Sequence, residues 1–209
     1  IIYFTLIPKR YILFKRKNMN FFISDIHFSD DSTLKRDNRP FKTTAQFDKY
    51  IIKQINKSAK KGDTLYVVGD LIDCDGAGDD GFFRSLKYVK HIKADVIFIT
   101  GNNEDRAIKY FFDNNFSKFR DYCIALGYKD VKRDDYVSFS GFDFYLTHKP
   151  IDYKKDYLNL FGHIHRGGGI YKRFGFNIGC DLNHFRPYSE QDILHLIDMK
   201  RNYWDDDKN

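Results

Sequence analysis

Carboxylate, imidazole and amide side chains recur in this chain where apolar segments end. Seven such positions stand out: Asp25, His27, Asp70, Asn102, His148, His163 and His165. Imidazole nitrogens together with carboxylate oxygens suit divalent ions such as Mn, Fe or Zn, whereas an all-oxygen set favours Mg or Ca. A lone histidine after a strand is more often a surface residue than a ligand. All seven together predict a metal centre.

The apolar segments themselves predict how these side chains meet. Strand and helix patterns alternate through the first half of the chain, which is typical of α/β folds with ligands at the carboxyl edge of a sheet. Side chains two residues apart on a strand face the same side, so Asp25 and His27 can both face one ion, and the same rule lets His163 and His165 point together. Seven ligands exceed what one metal needs, which favours two ions bridged by a carboxylate.

The remaining elements follow from hydrophobic periodicity. Thr43 and Gln46 form a capping-box pattern, and the helix after them is predicted to end at Gly62. Residues 28–42 read as an acidic, polar loop. Helical patterns cover 82–92 and 105–127, and a hairpin is predicted around Ser140-Gly141. Two more short strands and a last element at 190–198 complete the prediction.

Five motifs, in order and at these separations, carry a resemblance to a known family. They are DIH, GDLID, GNNE, THKP and GHIH, and they resemble the calcineurin-like metallophosphoesterases. The segments NRPF at 38–41 and NIGCDLNHFRP at 177–187 are similar to a small bacterial and phage subgroup of that family. The resemblance runs from about residue 20 to 197. It implies an α/β fold, a sandwich of two mixed β-sheets flanked by helices.

The resemblance also implies roles for single residues. Asp25, His27 and His165 would hold the first metal, Asp70 would bridge the two ions, and the second would be held by Asn102, His148 and His163. Asp73 would support these ligands through hydrogen bonds, and Glu104 would have a similar role. Two divalent ions (Mn, Fe, Zn or Ni) would then activate a bridging hydroxide that hydrolyses a phosphate ester.

One position departs from the family pattern. The family has a proton-donating histidine directly after Gly-Asn of its third motif, and this chain has Asn103. A carboxamide cannot transfer a proton near neutral pH, so Glu104, the substrate or a metal-bound water would have to replace it. This favours phosphodiesters or activated esters. Arg39 and Arg186 are candidates to neutralise the substrate, with ordinary ion pairing as the equal alternative.

Composition limits the classes of protein that this chain can belong to. The chain has 209 residues, 42% of them hydrophobic, which indicates a globular protein. The net charge of +6 suits a phosphate-ester substrate, including a nucleotide or nucleic acid, but fits a solvated lysine-rich surface equally well. Three scattered cysteines support neither a disulfide framework nor a metal clip, so we expect a cytoplasmic protein. Nothing predicts a membrane span, and oligomeric state stays open.

The boundaries are predicted from the same patterns. Residues 1–18 are apolar and then basic, without a targeting pattern, and we expect translation to begin at Met19 with an extension ahead of it. Residues 19–200 would form one domain, and 201–209 an acidic, frayed tail. Two alternatives to a phosphodiesterase remain: a nuclease, and a metal-bearing module that binds a nucleotide or partner with little turnover.

Overall fold

The fold is known from a computed structural model, which describes residues 18–72, 78–171 and 174–202. The ten strands of these residues are β1 (Asn20–Ile23), β2 (Thr64–Val68), β3 (Asp95–Ile99), β4 (Asp130–Lys132), β5 (Asp135–Phe139), β6 (Phe142–Leu146), β7 (Leu158–Phe161), β8 (Ile170–Tyr171), β9 (Gly175–Asn177) and β10 (Tyr188–Ser189). The six α-helices are α1 (Asp31–Arg36), α2 (Thr44–Ser58), α3 (Gly78–Leu86), α4 (Asn102–Phe111), α5 (Phe116–Leu126) and α6 (Glu190–Asn202). Three 3₁₀ segments lie at Lys87–His91, Pro150–Asp152 and Cys180–Leu182.

The strands form two mixed sheets of five strands each. The first sheet has the order β10-β1-β2-β3-β4, with parallel pairing except for β10 against β1. The second has the order β5-β6-β7-β9-β8, in which β6, β7 and β9 are parallel. In register, Val67 of β2 lies opposite Ile23 of β1 and Phe98 of β3. The loops after these strands therefore leave one edge of the sheet.

The central strands are buried on both faces. Phe21 and Ile23 of β1 belong to a core shared with helices α2 to α5, whereas Phe22 belongs to the core between the sheets. The ring of Phe22 stacks on that of Phe139 from the second sheet, with centroids 5.7 Å apart. Helix α6 contributes Ile193 to the same second core. The predicted two-sheet α/β sandwich is confirmed, and its two cores fix the strands that carry the polar motifs.

Several element predictions need correction. Residues 31–36, predicted as loop, form α1 because the Asp30 carboxylate accepts hydrogen bonds from the backbone N–H of Ser32 and Thr33. The helical pattern at 105–127 is two helices, since Asp113 and Asn114 adopt left-handed backbone with φ of 53° and 56°. The 82–92 prediction covers the end of α3 and a 3₁₀ segment.

The predicted helix cap and hairpin are confirmed. Thr43 caps α2, its hydroxyl accepting from the Gln46 N–H at 3.3 Å, and the hairpin around Ser140-Gly141 joins β5 to β6. Residues 1–17 of the extension predicted at 1–18, Asp73, and residues 203–209 of the tail predicted at 201–209 lie outside the described residues, whereas residues 201 and 202 belong to α6. Within the described ranges, none of the helices is long and apolar enough to span a bilayer.

Candidate metal centre

Loops from both sheets deliver all seven predicted ligand residues to one place. Asp25 and His27 follow β1, Asp70 follows β2, and Asn102 begins α4 after β3. The second sheet supplies His148 after β6 and the pair His163 and His165 after β7. Carboxyl ends of neighbouring parallel strands meet at one edge of a sheet, and here the edges of the two sheets adjoin.

The ligand atoms fall into two groups of three. In the first group, one atom each of Asp25, His27 and His165 lies within 4.8 Å of the other two. In the second group, Asp70, His148 and His163 do the same. The amide oxygen of Asn102 lies 3.2 Å from His148 Nε2, which adds a further oxygen to the second group.

Asp70 connects the two groups. Its Oδ2 lies 3.3 Å from His148 Nε2 and 3.8 Å from His27 Nε2. One carboxylate oxygen thus faces an imidazole of each group.

The backbone at the site is unusual. Asp25, His27, Asp70, His163 and His165 all have left-handed φ, between 46° and 73°. Non-glycine residues adopt this conformation rarely, and it costs of the order of 1–2 kcal/mol each. Such strain persists only where the surrounding structure enforces it, and it clusters at functional sites.

Glycines next to the ligands make room for them. A Cβ on Gly69 would lie 2.1 Å from Nδ1 of His148, and a Cβ on Gly101 would lie 2.4 Å from Oδ1 of Asp70. A Cβ on Gly162 would lie 1.7 Å from the Ser24 hydroxyl oxygen and 2.6 Å from Oδ2 of Asp25. The glycines of GDLID, GNNE and GHIH are therefore required by packing against the site.

The site attracts positive charge. Burial alone would lower the pKa of His148, but hydrogen bonding to Asp70 and the nearby Asp25 outweigh it and raise the pKa to about 9. Burial would raise the pKa of Asp70, yet the His148 hydrogen bond and charge lower it to about 2. The pKa of His163 is lowered by burial and by His148. Carboxylates thus stabilise a cation among these imidazoles.

A metal fits these residues on two grounds. Both ring nitrogens of the buried His27 lack a hydrogen bond of good geometry, and a buried polar atom without a partner is costly. Imidazole nitrogens mixed with carboxylate and amide oxygens are also a donor set for borderline divalent ions. The arrangement therefore suits a divalent metal centre better than a hydrogen-bonded polar cluster.

Glu104 lies beneath the site rather than in it. The residue is fully buried, and its carboxylate accepts from the backbone N–H groups of Asp70, Leu71, Ile72 and Gly101 at 2.7–3.3 Å. Burial and the Asp70 charge raise its pKa to about 8, against these N–H donors. With both oxygens engaged by backbone, Glu104 cannot reach a substrate, so its predicted use as a substitute proton donor is corrected.

Arg39 is likewise not placed to meet a substrate. Its side chain is 1% exposed, with Nη2 2.7 Å from Oδ2 of Asp181. The guanidinium also donates to the backbone carbonyls of Asp25 and Ile26, both at 2.7 Å. The prediction that Arg39 neutralises the substrate is therefore corrected: a buried ion pair holds the DIH loop. The exposed Arg186 donates to Asn183 at 3.1 Å and lies near Asp192.

Two other arginines line a pocket beside the candidate metal centre. Arg36 and Arg106 line a pocket of about 510 Å³ together with His27, Asp70 and His163. Arg106 also donates a hydrogen bond to the side-chain oxygen of Asn103. Sequence reasoning missed both residues. The sequence could have indicated Arg106, since it lies two residues after GNNE and three after Asn103 in a predicted helix, whereas Arg36 belongs to the helix that was predicted as a loop.

A second pocket adjoins the first and shares Asn102 with it. It has a volume of about 430 Å³ and is lined by polar, aromatic and apolar side chains, among them Tyr145, Lys149, Ile151 and Tyr153. The candidate metal centre therefore lies between two neighbouring concave regions.

Comparison with known proteins places the chain in a family. A family model, calcineurin-like phosphoesterase, matches residues 21–206, so the chain belongs to that family. The resemblance drawn from the five motifs is confirmed, and the protein is a metal-dependent phosphoesterase.

Similar proteins of known sequence or structure agree with the fold. An uncharacterized protein of Methanocaldococcus jannaschii is 24% identical over 187 residues, covering 85% of this chain and 90% of that protein. A protein of unknown function from Aquifex aeolicus has a TM-score of 0.60 at 21% identity, over 86% of this chain and 100% of the other. This likeness shows the fold. An archaeal phosphodiesterase has a TM-score of 0.45 at 14% identity, over 77% and 81% of the two chains.

Proposed function

We propose that this protein is a two-metal phosphodiesterase. The observation that carries the proposal is the pair of ligand groups joined by one oxygen of Asp70, which lies between His148 and His27. Asp25, His27 and His165 would hold the first ion, and Asn102, His148 and His163 the second. Bound there, two divalent cations such as Mn, Fe, Zn or Ni would supply Lewis-acid activation of water and of the phosphoryl group.

Two arginines complete the phosphate site in this proposal. Arg36 and Arg106 line the pocket that contains His27 and Asp70. Guanidinium groups bind phosphate oxygens through charge-assisted hydrogen bonds and stay charged at any physiological pH. They would hold the non-reacting oxygens while the leaving group departs.

Asn103 counts against esters with poor leaving groups, such as simple alkyl monoesters. Its side-chain oxygen accepts from Arg106, so this position presents a guanidinium rather than a proton donor near the pocket. Arginine stabilises negative charge on a departing oxygen but does not release a proton. Good leaving groups tolerate that difference best, so Asn103 favours activated esters, and the choice of a diester depends on the shape of the site.

The second pocket supports the same choice. A diester carries two substituents on phosphorus, and the chain offers a concave region on each side of Asn102. Tyr145, Tyr153 and Ile151 contribute aromatic and apolar surface to a lining that is otherwise mostly polar and carries charges of both signs, among them Lys149 and Asp152. In this proposal the second substituent is therefore a polar group with an aromatic or apolar part, such as a nucleoside.

The test compares two chromogenic esters. Protein reconstituted with Mn²⁺ would be assayed on bis(p-nitrophenyl) phosphate and p-nitrophenyl phosphate, with Asp70→Asn as the loss-of-metal control. We expect faster diester cleavage that Asp70→Asn abolishes. Equal or faster cleavage of the monoester would refute the diester preference.

Arginine variants sharpen the assay. Arg36→Gln and Arg106→Gln should raise KM for the diester, whereas Lys35→Gln, which alters an exposed neighbour paired with Asp31, should not. Single-stranded oligonucleotides in the same assay examine the nuclease alternative, which the +6 charge favours. Metal binding without cleavage of any ester would support the binding-module alternative.

A further inference from the structure

Helix α1 is flanked by two carboxylates that both face the first ligand group. Asp30 precedes the helix and Asp37 follows it. Nδ1 of His27 lies 3.5 Å from Oδ2 of Asp30, and Nδ1 of His165 lies 2.7 Å from Oδ2 of Asp37. Among the described residues, every buried side-chain nitrogen or oxygen without a hydrogen bond of good geometry belongs to one of these four residues.

The oxygens of Asp30 have separate tasks. Oδ1 accepts from the backbone N–H groups of Ser32 and Thr33, at 2.8 and 3.1 Å, and so caps α1. Oδ2 makes no hydrogen bond within the helix and faces His27. The cap therefore holds the carboxylate in place, and its free oxygen is directed at the imidazole.

Asp37 is held at the other end of the same helix. Its backbone N–H donates to the Thr33 carbonyl at 3.0 Å, and its Oδ1 lies 3.4 Å from Nε of Arg36. Its Oδ2 remains for His165. One short helix thus fixes the separation of two carboxylates that serve two imidazoles.

A different explanation of Asp37 is a cation site of its own, shared with His165 and Asp181, whose ligand atoms also lie within 4.8 Å of one another. The charge of Asp181 is already compensated. Arg39 contacts both of its oxygens, at 3.0 and 2.7 Å, and a second cation beside a guanidinium would be repelled. Asp37 is better explained as the partner of His165.

The two ligand groups are supported differently. In the second group, Nδ1 of His148 faces the backbone carbonyl of Val68 at 3.1 Å. In the first group, both imidazoles face carboxylates. A carboxylate behind an imidazole fixes the ring orientation and raises its strength as a ligand, and loss of such a partner typically weakens metal binding by about 10–100-fold.

We propose that Asp30 and Asp37 are positioning residues that direct Nε2 of His27 and His165 toward one ion, so that α1 sets the affinity of the first metal site. The inference depends on the ligand assignment of the proposed function. The second site, backed by sheet backbone, does not depend on α1.

The test measures metal binding rather than turnover. Metal-free full-length protein would be titrated with Mn²⁺ by calorimetry, in the wild type and in Asp37→Asn and Asp30→Asn. Asparagine is a good helix cap, so Asp30→Asn keeps α1 while removing the carboxylate. Asp31→Asn is the matched control, because Asp31 lies in the same helix but is exposed and pairs with Lys35.

We expect two classes of Mn²⁺ site in the wild type, one of which is weakened about 10–100-fold in Asp37→Asn and Asp30→Asn, with the other unchanged. A loss confined to one class of site is the result that a merely structural role, which would weaken both classes, does not predict. Unchanged affinities, or an equal loss in Asp31→Asn, would overturn the inference. If the wild type binds no Mn²⁺ at two sites, the proposed function fails instead. Should Asp30→Asn lose its fold, Asp30→Ser keeps a cap and gives the same comparison.

Discussion

The carboxylate of Glu104 accepts the backbone N–H of Asp70 at 3.0 Å, so a fully buried acid supports the residue that connects the two ligand groups. Three more backbone N–H groups donate to the same carboxylate. Glutamine offers one oxygen and an N–H₂ group that cannot accept, so Glu104→Gln leaves at least one donor without a partner.

Above pH 8, where the Glu104 carboxyl is ionised, we expect Glu104→Gln to lower the free energy of unfolding by about 2–3 kcal/mol, since hydrogen bonds to charged acceptors contribute about 1.5–3 kcal/mol. The loss of stability should be larger with Mn²⁺ bound. In the metal-free protein the charges of Glu104 and Asp70 repel each other, and a bound cation would offset this repulsion. Denaturant melts with and without Mn²⁺ measure both. A variant as stable as the wild type would show that this carboxylate does not hold the loops.

Asn103→His tests the missing proton donor. Because general-acid catalysis contributes about 10²–10⁴-fold, we expect kcat/KM to rise at least tenfold for esters with poor leaving groups and to change little for p-nitrophenyl esters. The readout is the dependence of kcat/KM on leaving-group pKa across a series of aryl and alkyl esters. Asn103→Ala is the control for loss of the Arg106 contact. An unchanged slope in Asn103→His would contradict our account of this position.

Gly69→Ala tests the packing beneath His148. Gly69 has a φ of 78°, and an added Cβ would meet the imidazole at 2.1 Å. We expect a loss of about 1–2 kcal/mol from the backbone alone, with further loss from displacing His148, and weaker Mn²⁺ binding. Gly169→Ala is the matched control, since its Cβ would meet no atom within 4 Å. Equal melting temperatures and affinities for the two variants would contradict the prediction.

Arg39→Met separates a structural role from substrate binding. The change leaves the buried Asp181 without its cation, so we expect a loss of about 3–5 kcal/mol in the free energy of unfolding. Chemical denaturation measures it. A stable variant in which only KM rises would restore the substrate-binding role. Arg39→Lys keeps the charge but not the planar guanidinium. Its free energy of unfolding should lie between those of the wild type and Arg39→Met.

Asp48 gives stability a dependence on pH. Burial raises the pKa of its carboxyl, against hydrogen bonds from Ser29 and Tyr88. A carboxyl whose pKa is higher in the folded state stabilises the fold below its unfolded pKa, and this contribution is lost as pH rises through the folded pKa. We therefore expect the change in melting temperature caused by Asp48→Asn to be more favourable at pH 7 than at pH 4. The opposite order would show that the hydrogen bonds outweigh burial.

The sequence predicted the fold class and which residues converge, because both depend on local patterns. Parallel strands align their carboxyl ends, so Asp25 and Asp70, which follow neighbouring strands of the first sheet, had to share an edge. His163 and His165 follow a strand of the second sheet, and their place beside Asp25 and Asp70 was implied by the resemblance of GHIH to the family motif rather than by strand patterns.

The sequence did not predict which charged residues face the pocket. Arg39 and Arg106 are equally polar in sequence, and only the packing of α1 and α4 shows that one is buried against Asp181 while the other lines the pocket. Asp30 and Asp37 were missed for a related reason. A six-residue helix with two buried side chains leaves too little periodicity to detect.

The left-handed backbone at five of the ligand positions limits which amino acids each position accepts. Aspartate, asparagine and histidine tolerate this conformation better than other non-glycine residues, and they are also metal-ligating types. An alanine variant of Asp25, Asp70 or His163 would therefore confound ligand loss with backbone strain. Asparagine at these positions keeps the conformation and changes the ligand alone, so the local geometry itself dictates how knockouts of this site should be built.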